Sequence, residues 1–197
     1  LKDLYRANRT DKWPWFEDIV TYCNPALPQA LLRYGQANND QEAIAIGLES
    51  LTWLVKIQQS DKGWIMPIGN QGFYPKEGQI SYFDQQPVEV YSLLSACLDA
   101  FRVTEDVGWH DYATQALEWF FGRNALGVSM YDKATGGCRD GLHIDRLNEN
   151  QGAESTLSLI QSVLEMKQFA REHQDRIRQN GRRRAPLVLV TSPKTTR

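Results

Sequence analysis

The sequence predicts an all-α fold built from antiparallel helix hairpins. Three observations point there. Apolar residues recur at helical spacing over long windows, no window alternates with period two between turn signals, and short polar links join the helical runs in pairs. At 197 residues the chain is long enough for one domain with a sizeable core.

The first run extends from about Pro14 to Tyr34. Pro14 suits a first-turn position, Pro25 and Pro28 predict a break near Asn24, and Gly35 reads as the stop. The second run, about Gln41 to Gln59, carries Ile44, Leu48, Leu51 and Val55 on one face. A Gly-rich loop follows. The third run opens at Pro87 and reaches about Val103; it is apolar around most of its circumference, which marks a buried helix. The fourth, about Trp109 to Phe121, turns Ala113, Ala116, Leu117 and Phe120 inward. After a second Gly-rich loop, from Asn124 to Gln151, the fifth starts near Gly152. Its predicted inward stripe is Ala153, Leu157, Ile160 and Leu164. Leu187 to Thr191 could form a short strand without an evident partner. Residues 1–173 are therefore read as the helical domain and 174–197 as a basic, solvated tail.

Charge excludes one class of function. Seven Lys and Arg residues against one Asp fall in that tail, so the body is acidic overall although the net charge is only −2. An acidic body argues against binding a phosphate backbone, so no nucleic-acid partner is expected. No apolar run approaches the roughly 20 residues of a membrane helix, so no membrane partner is expected either. Three scattered cysteines without CxxC, HExxH or a Cys/His cluster predict no metal and no cofactor, and suit a reducing compartment such as the cytoplasm. The start at Leu1 rather than Met reads as a trimmed or internal piece.

An internal repeat carries the functional reading. Asp84-Gln85-Gln86-Pro87-Val88-Glu89 and Glu149-Asn150-Gln151-Gly152-Ala153-Glu154 share an order of acid, amide, Gln, Pro or Gly, small apolar and Glu, and each opens a helix. Leu51-Thr52-Trp53-Leu54 and Leu117-Glu118-Trp119-Phe120 repeat at nearly the same interval. Trp13 to Asp18 fits the hexapeptide slot more loosely. The unit is then a loop, an inner helix, a short turn and an outer helix. Runs one, three and five are inner, runs two and four outer, giving two and a half units.

Capping explains part of this pattern. Gln86 and Gln151 suit the N-cap, with Glu89 and Glu154 reaching back to the cap amide and favoured by the helix dipole, which should lower their pKa. Binding explains the surplus. Asp84, Gln85, Asn148 and Asn150 bring more amide and acid than caps require, and Gln86 and Gln151 join them as candidate ligand contacts. Glu17, Asp18, Trp15, Trp64 and Tyr131 lie on or beside the same loops. Converging acids, amides and rings suit a polyhydroxylated ligand. Glu89, Glu154 and Asp140 are the catalytic candidates, since two carboxylates can divide acid and base roles.

The segments Trp15-Phe16-Glu17-Asp18, Phe83 to Glu89, Tyr131-Asp132 with Thr135 to Gly141, and Asn148 to Thr156 resemble a helical domain of bacterial proteins described as glycosyltransferases. That domain belongs to the six-hairpin glycosidase-like group, the (α/α)6 toroids. The resemblance runs from about Trp13 to Met166. It implies part of such a toroid, a saccharide ligand and a glycosyltransferase domain as partner, without assigning a reaction. A scaffold that packs on a catalytic domain, and a glycoside hydrolase with paired carboxylates, are the alternative readings.

Overall fold

The computed structural model describes residues 1–183, with side chains through residue 174. It is mostly helical. Among the described residues six helices run: α1 (Lys2–Asn8), α2 (Ala26–Asn38), α3 (Gln41–Ile57), α4 (Pro87–Thr104), α5 (Val107–Phe120) and α6 (Ala153–Arg183). Two small antiparallel ribbons decorate the loops: β1 (Ile19–Val20) with β2 (Tyr74–Pro75), and β3 (Gly141–Leu142) with β4 (Leu147–Asn148). Residues 1–165 form one compact unit and a second begins at Met166. Within the second, α6 continues to Arg183, and Phe169 stacks on His173. The Leu187–Thr191 strand and the end of the predicted tail lie outside the described residues.

The hairpins form as the links predict, but with tighter turns. Asn39 and Glu105 end α2 and α4 in the left-handed conformation, at φ 55° and 58°. Each is followed directly by an aspartate that caps the next helix: Asp40 accepts from the Ala43 amide and Asp106 from the Gly108 amide. α2 packs on α3, α4 on α5, and α2 on α4.

The first predicted run needs correction. Residues 14–25 are not helical; they hold β1 and an aromatic cluster, and the helix starts only at Ala26. Pro25 is the N-cap and Pro28 lies in the first turn, where a missing N–H costs nothing, so the prolines start the helix rather than break it. Gly35 is not the stop. It is a buried point of contact, because a Cβ there would lie 2.6 Å from Ile44 Cγ1. α1 carried no signal that marked it as a separate helix. Its Tyr5 packs with Trp13, Trp15, Phe16, Val20, Leu31, Ile46 and Leu54 in one core cluster.

α6 also departs from expectation. Leu157, Ile160 and Leu164 are 54%, 44% and 58% exposed, while Ser155, Ser158, Leu159 and Ser162 are buried. Ser158 and Ser162 donate to the carbonyls four residues back, at 2.8 and 2.7 Å, so small polar side chains tolerate burial there.

The repeat is visible as contacts between inner helices. Arg33 Nε donates to Asp99 Oδ2 at 2.5 Å, sixty-six positions on, and Gln29 Nε2 donates to Ser95 Oγ at 2.8 Å, also sixty-six on. Ser95 Oγ in turn donates to Glu165 Oε1 at 3.0 Å. A polar ladder therefore links α2 and α4 to Glu165 of α6.

Candidate functional site

The N-terminal ends of α4 and α6 meet the segment leading into α2. The Glu89 carboxylate, in the first turn of α4, crosses to the segment leading into α2, where its Oε1 accepts from the Cys23 amide at 2.6 Å. Gln86 is the N-cap residue by position, but among the described residues its side chain makes no cap bond. Glu154, in the first turn of α6, accepts from the Tyr22 hydroxyl at 2.6 Å. The two repeat-related glutamates are thus bridged by consecutive residues, Tyr22 and Cys23.

Their environments differ. Glu89 is only 4% exposed. Burial raises its pKa to about 7, opposed by bonds from Cys23 and Asn24 and reinforced by the nearby Glu154. The expected lowering by the helix dipole is overturned, because desolvation of a buried carboxylate outweighs a partial charge at the helix end. Glu154 is exposed, and so is Tyr22. Burial, followed by the two carboxylates, pushes the Cys23 thiol up to about 11, so it is no ready nucleophile.

Tyr22, Cys23 and Asn24 were not among the sequence-derived candidates. The repeat could have found them. The loose counterpart at Trp13–Asp18 is not what reaches Glu89; Cys23 does, from sixty-six positions earlier, the separation that also links Gln29 to Ser95 and Arg33 to Asp99. The same count pairs Asp18 with Asp84.

Two candidates prove to be core. Trp15 is fully buried, edge-on to Phe16 and tilted against Trp53, so it offers no face to a ligand. Gln85 is also fully buried. Its Oε1 accepts from Trp119 Nε1 at 3.0 Å and its amide donates to the Tyr82 carbonyl at 2.9 Å. Glu17 and Asp18 are exposed beside β1, with Asp18 3.5 Å from Lys76 Nζ. Trp64 is half-buried with Lys62 over its ring at 5.3 Å.

The second long loop organises itself. Asp132 accepts from the Ala134 amide, Gln151 Nε2 and Arg139, and these donors, led by Ala134, lower its pKa. Gln151 Oε1 accepts from Thr135 at 2.5 Å, so Gln151 is a loop brace rather than an N-cap. Asp140 Oδ1 accepts from the Gly152 amide at 2.7 Å, which gives this catalytic candidate a capping task at the start of α6. Asn148 turns back to the Asn150 amide at 3.1 Å. Tyr131 is half-buried against Phe121, while Asn150 and Glu149 stay exposed. Among the described residues no group of three His, Cys, Asp or Glu could hold a metal ion, and no helix is long and apolar enough to cross a membrane.

No known family model matches the chain, and no curated protein matches it.

Proposed function

We propose that this chain is a saccharide-binding helical domain, part of an (α/α)6-type toroid associated with a cytoplasmic glycosyltransferase, and that it takes its ligand where α2, α4 and α6 begin. One observation carries the reading: Glu89 and Glu154, far apart in sequence, meet across Tyr22 and Cys23. The exposed Tyr22 ring offers an apolar face for a sugar, and Glu154 offers acceptors for hydroxyl pairs. Glu89, with its pKa near 7, can hold a proton behind them and exchange it near neutral pH. The spacing of the polar ladder through Arg33, Asp99 and Ser95 supports a stack of equivalent hairpins.

The test is calorimetric and glycan-array binding by the full chain, with the double variant Glu89→Gln plus Glu154→Gln alongside. The expected result is a loss of about tenfold or more in affinity, the scale of one or two charge-assisted bonds. Sugar binding that survives unchanged in the double variant overturns the assignment.

A scaffold role has its own support. Trp13 and Trp15 are buried, and Leu157, Ile160 and Leu164 form an exposed apolar face on α6. In the same slots of α4, sixty-five positions earlier, Ser92, Ser95 and Asp99 are covered by neighbouring elements and buried. This reading expects the chain to bind a catalytic domain and no glycan.

A further inference from the structure

A second constellation lies apart from Glu89 and Glu154, on the loops that hold β3 and β4. Asp84 is buried, and it is fixed from several sides. Its carbonyl accepts from the Asn70 amide at 3.0 Å, and Gln85 and Leu142 exchange backbone bonds at 3.0 and 2.9 Å. A Cβ at Gly141 would lie 2.5 Å from Asp84 Oδ1, so only glycine leaves room for the carboxylate. Yet among the described residues nothing donates a hydrogen bond to Asp84 Oδ1, although that atom is buried. The group facing it is His143, whose Nδ1 lies 3.4 Å away. Native proteins rarely leave a buried carboxylate oxygen without a donor, because desolvation is then uncompensated.

His143 sits at the tip of the β3–β4 ribbon, with its amide donating to the Arg146 carbonyl at 2.9 Å. It lines a cleft of about 530 Å³ together with Gln71, Ser81, Tyr82, Phe83 and Arg146. That size falls within the range of small-ligand clefts. With Nδ1 turned to Asp84, Nε2 is the ring atom left for the cleft. Tyr82 is exposed at its wall, Gln71 is an exposed amide, and Arg146 is an exposed guanidinium beside Asp145.

We propose that this cleft is a second ligand site, for a ring-shaped polyol of monosaccharide size, in which Asp84 positions His143 so that Nε2 accepts a bond from a ligand hydroxyl. Asp84 is a positioning residue. An Nδ1–H aimed at its carboxylate fixes the tautomer, and a small approach of the ring closes the bond, as ligand binding commonly does with long contacts in empty sites. Tyr82 supplies the stacking face, and Gln71 and Arg146 supply donors. Neither Glu89 nor Glu154 lines this cleft, so the inference stands independently of the site proposed above.

The experiment is NMR on the full chain, reading the ring nitrogens of His143 and the ring signals of Tyr82. The probes are methyl glucoside, methyl mannoside, methyl galactoside and inositol. The expected result is a ring proton on His143 Nδ1, with a polyol moving the Nε2 and Tyr82 signals. Asp84→Asn should abolish the tautomer preference, and His143→Gln should weaken binding by about tenfold. A His143 protonated on Nε2, or signals unmoved by every probe, overturns the proposal. So does undiminished binding in His143→Gln. If Asp84→Asn fails to fold, the tautomer of the unmodified chain and the His143→Gln titration still decide. Because the signals belong to His143 and Tyr82, a negative result here leaves the Glu89–Glu154 reading intact.

Discussion

The two hexapeptides, Asp84 to Glu89 and Glu149 to Glu154, read alike and sit in opposite environments. In the first, Asp84, Gln85 and Glu89 are all buried; in the second, Glu149, Asn150 and Glu154 are all exposed. The first is covered by neighbours from three directions: the lead-in to α2 through Cys23, β3 through Leu142, and α5 through Trp119. In the second, Glu154 reaches Tyr22, Glu149 pairs with Arg139, and the Asn150 amide turns back to Asn148 in its own loop. The lesson is that a motif fixes which groups are presented at a helix start, while neighbouring elements decide whether those groups become core or surface.

The amide slot offers the largest way to break that contrast. Gln85→Ala removes two bonds and leaves the buried Trp119 indole N–H unpaired, so a loss of about 3 kcal/mol in urea unfolding is expected. Asn150→Ala, in the matching slot, should stay within about 0.5 kcal/mol. Equal losses at both positions would contradict the contrast.

The glutamate slot gives a pH signature. The Glu89 carboxyl has a pKa of about 7 in the folded chain against an ordinary 4.5. Between those values the folded chain binds the proton more tightly than the unfolded chain. Its contribution is therefore fully present below about 4.5 and is lost as pH rises through 7, by up to roughly 3 kcal/mol. Glu89→Gln should flatten this part of the stability–pH curve, measured by chemical unfolding across pH 4 to 8. Parallel curves for the two proteins would refute the buried state of Glu89.

The smallest effect is expected at Tyr22→Phe. It removes only the hydroxyl that contacts exposed Glu154, so about 0.5 kcal/mol or less is expected in the same assay. A loss several times larger would mean that the second hexapeptide is as firmly anchored as the first.

Much of the fold is legible in the residues. The ends of α3, α4 and α5 follow from apolar periodicity, from Pro87 at a first helical position, and from aspartates ahead of α3 and α5. The repeat also anticipates that Glu89 and Glu154 would come together. Less legible was the stretch from Trp13 to Asn24. Its aromatic density mimics a helix face, but Trp13 instead packs edge-on against Trp53 and Tyr74, and Trp15 lies tilted against Trp53. The buried face of α6 was misread for a related reason. Leucine and isoleucine spacing marks a stripe, but not the side on which a neighbour lies.

A mostly helical chain of hairpins, with polar groups at the helix starts, is determined by the sequence. Local backbone preferences and spacing decide such features within a few turns. The partners of those groups were decided only by tertiary structure: Glu89 with Cys23, Glu154 with Tyr22, Gln85 with Trp119, and Asp84 facing His143. The reason is physical. Whether a carboxylate is solvated, capped or buried depends on desolvation by elements tens of residues away, and nothing in a hexapeptide encodes the distance to them.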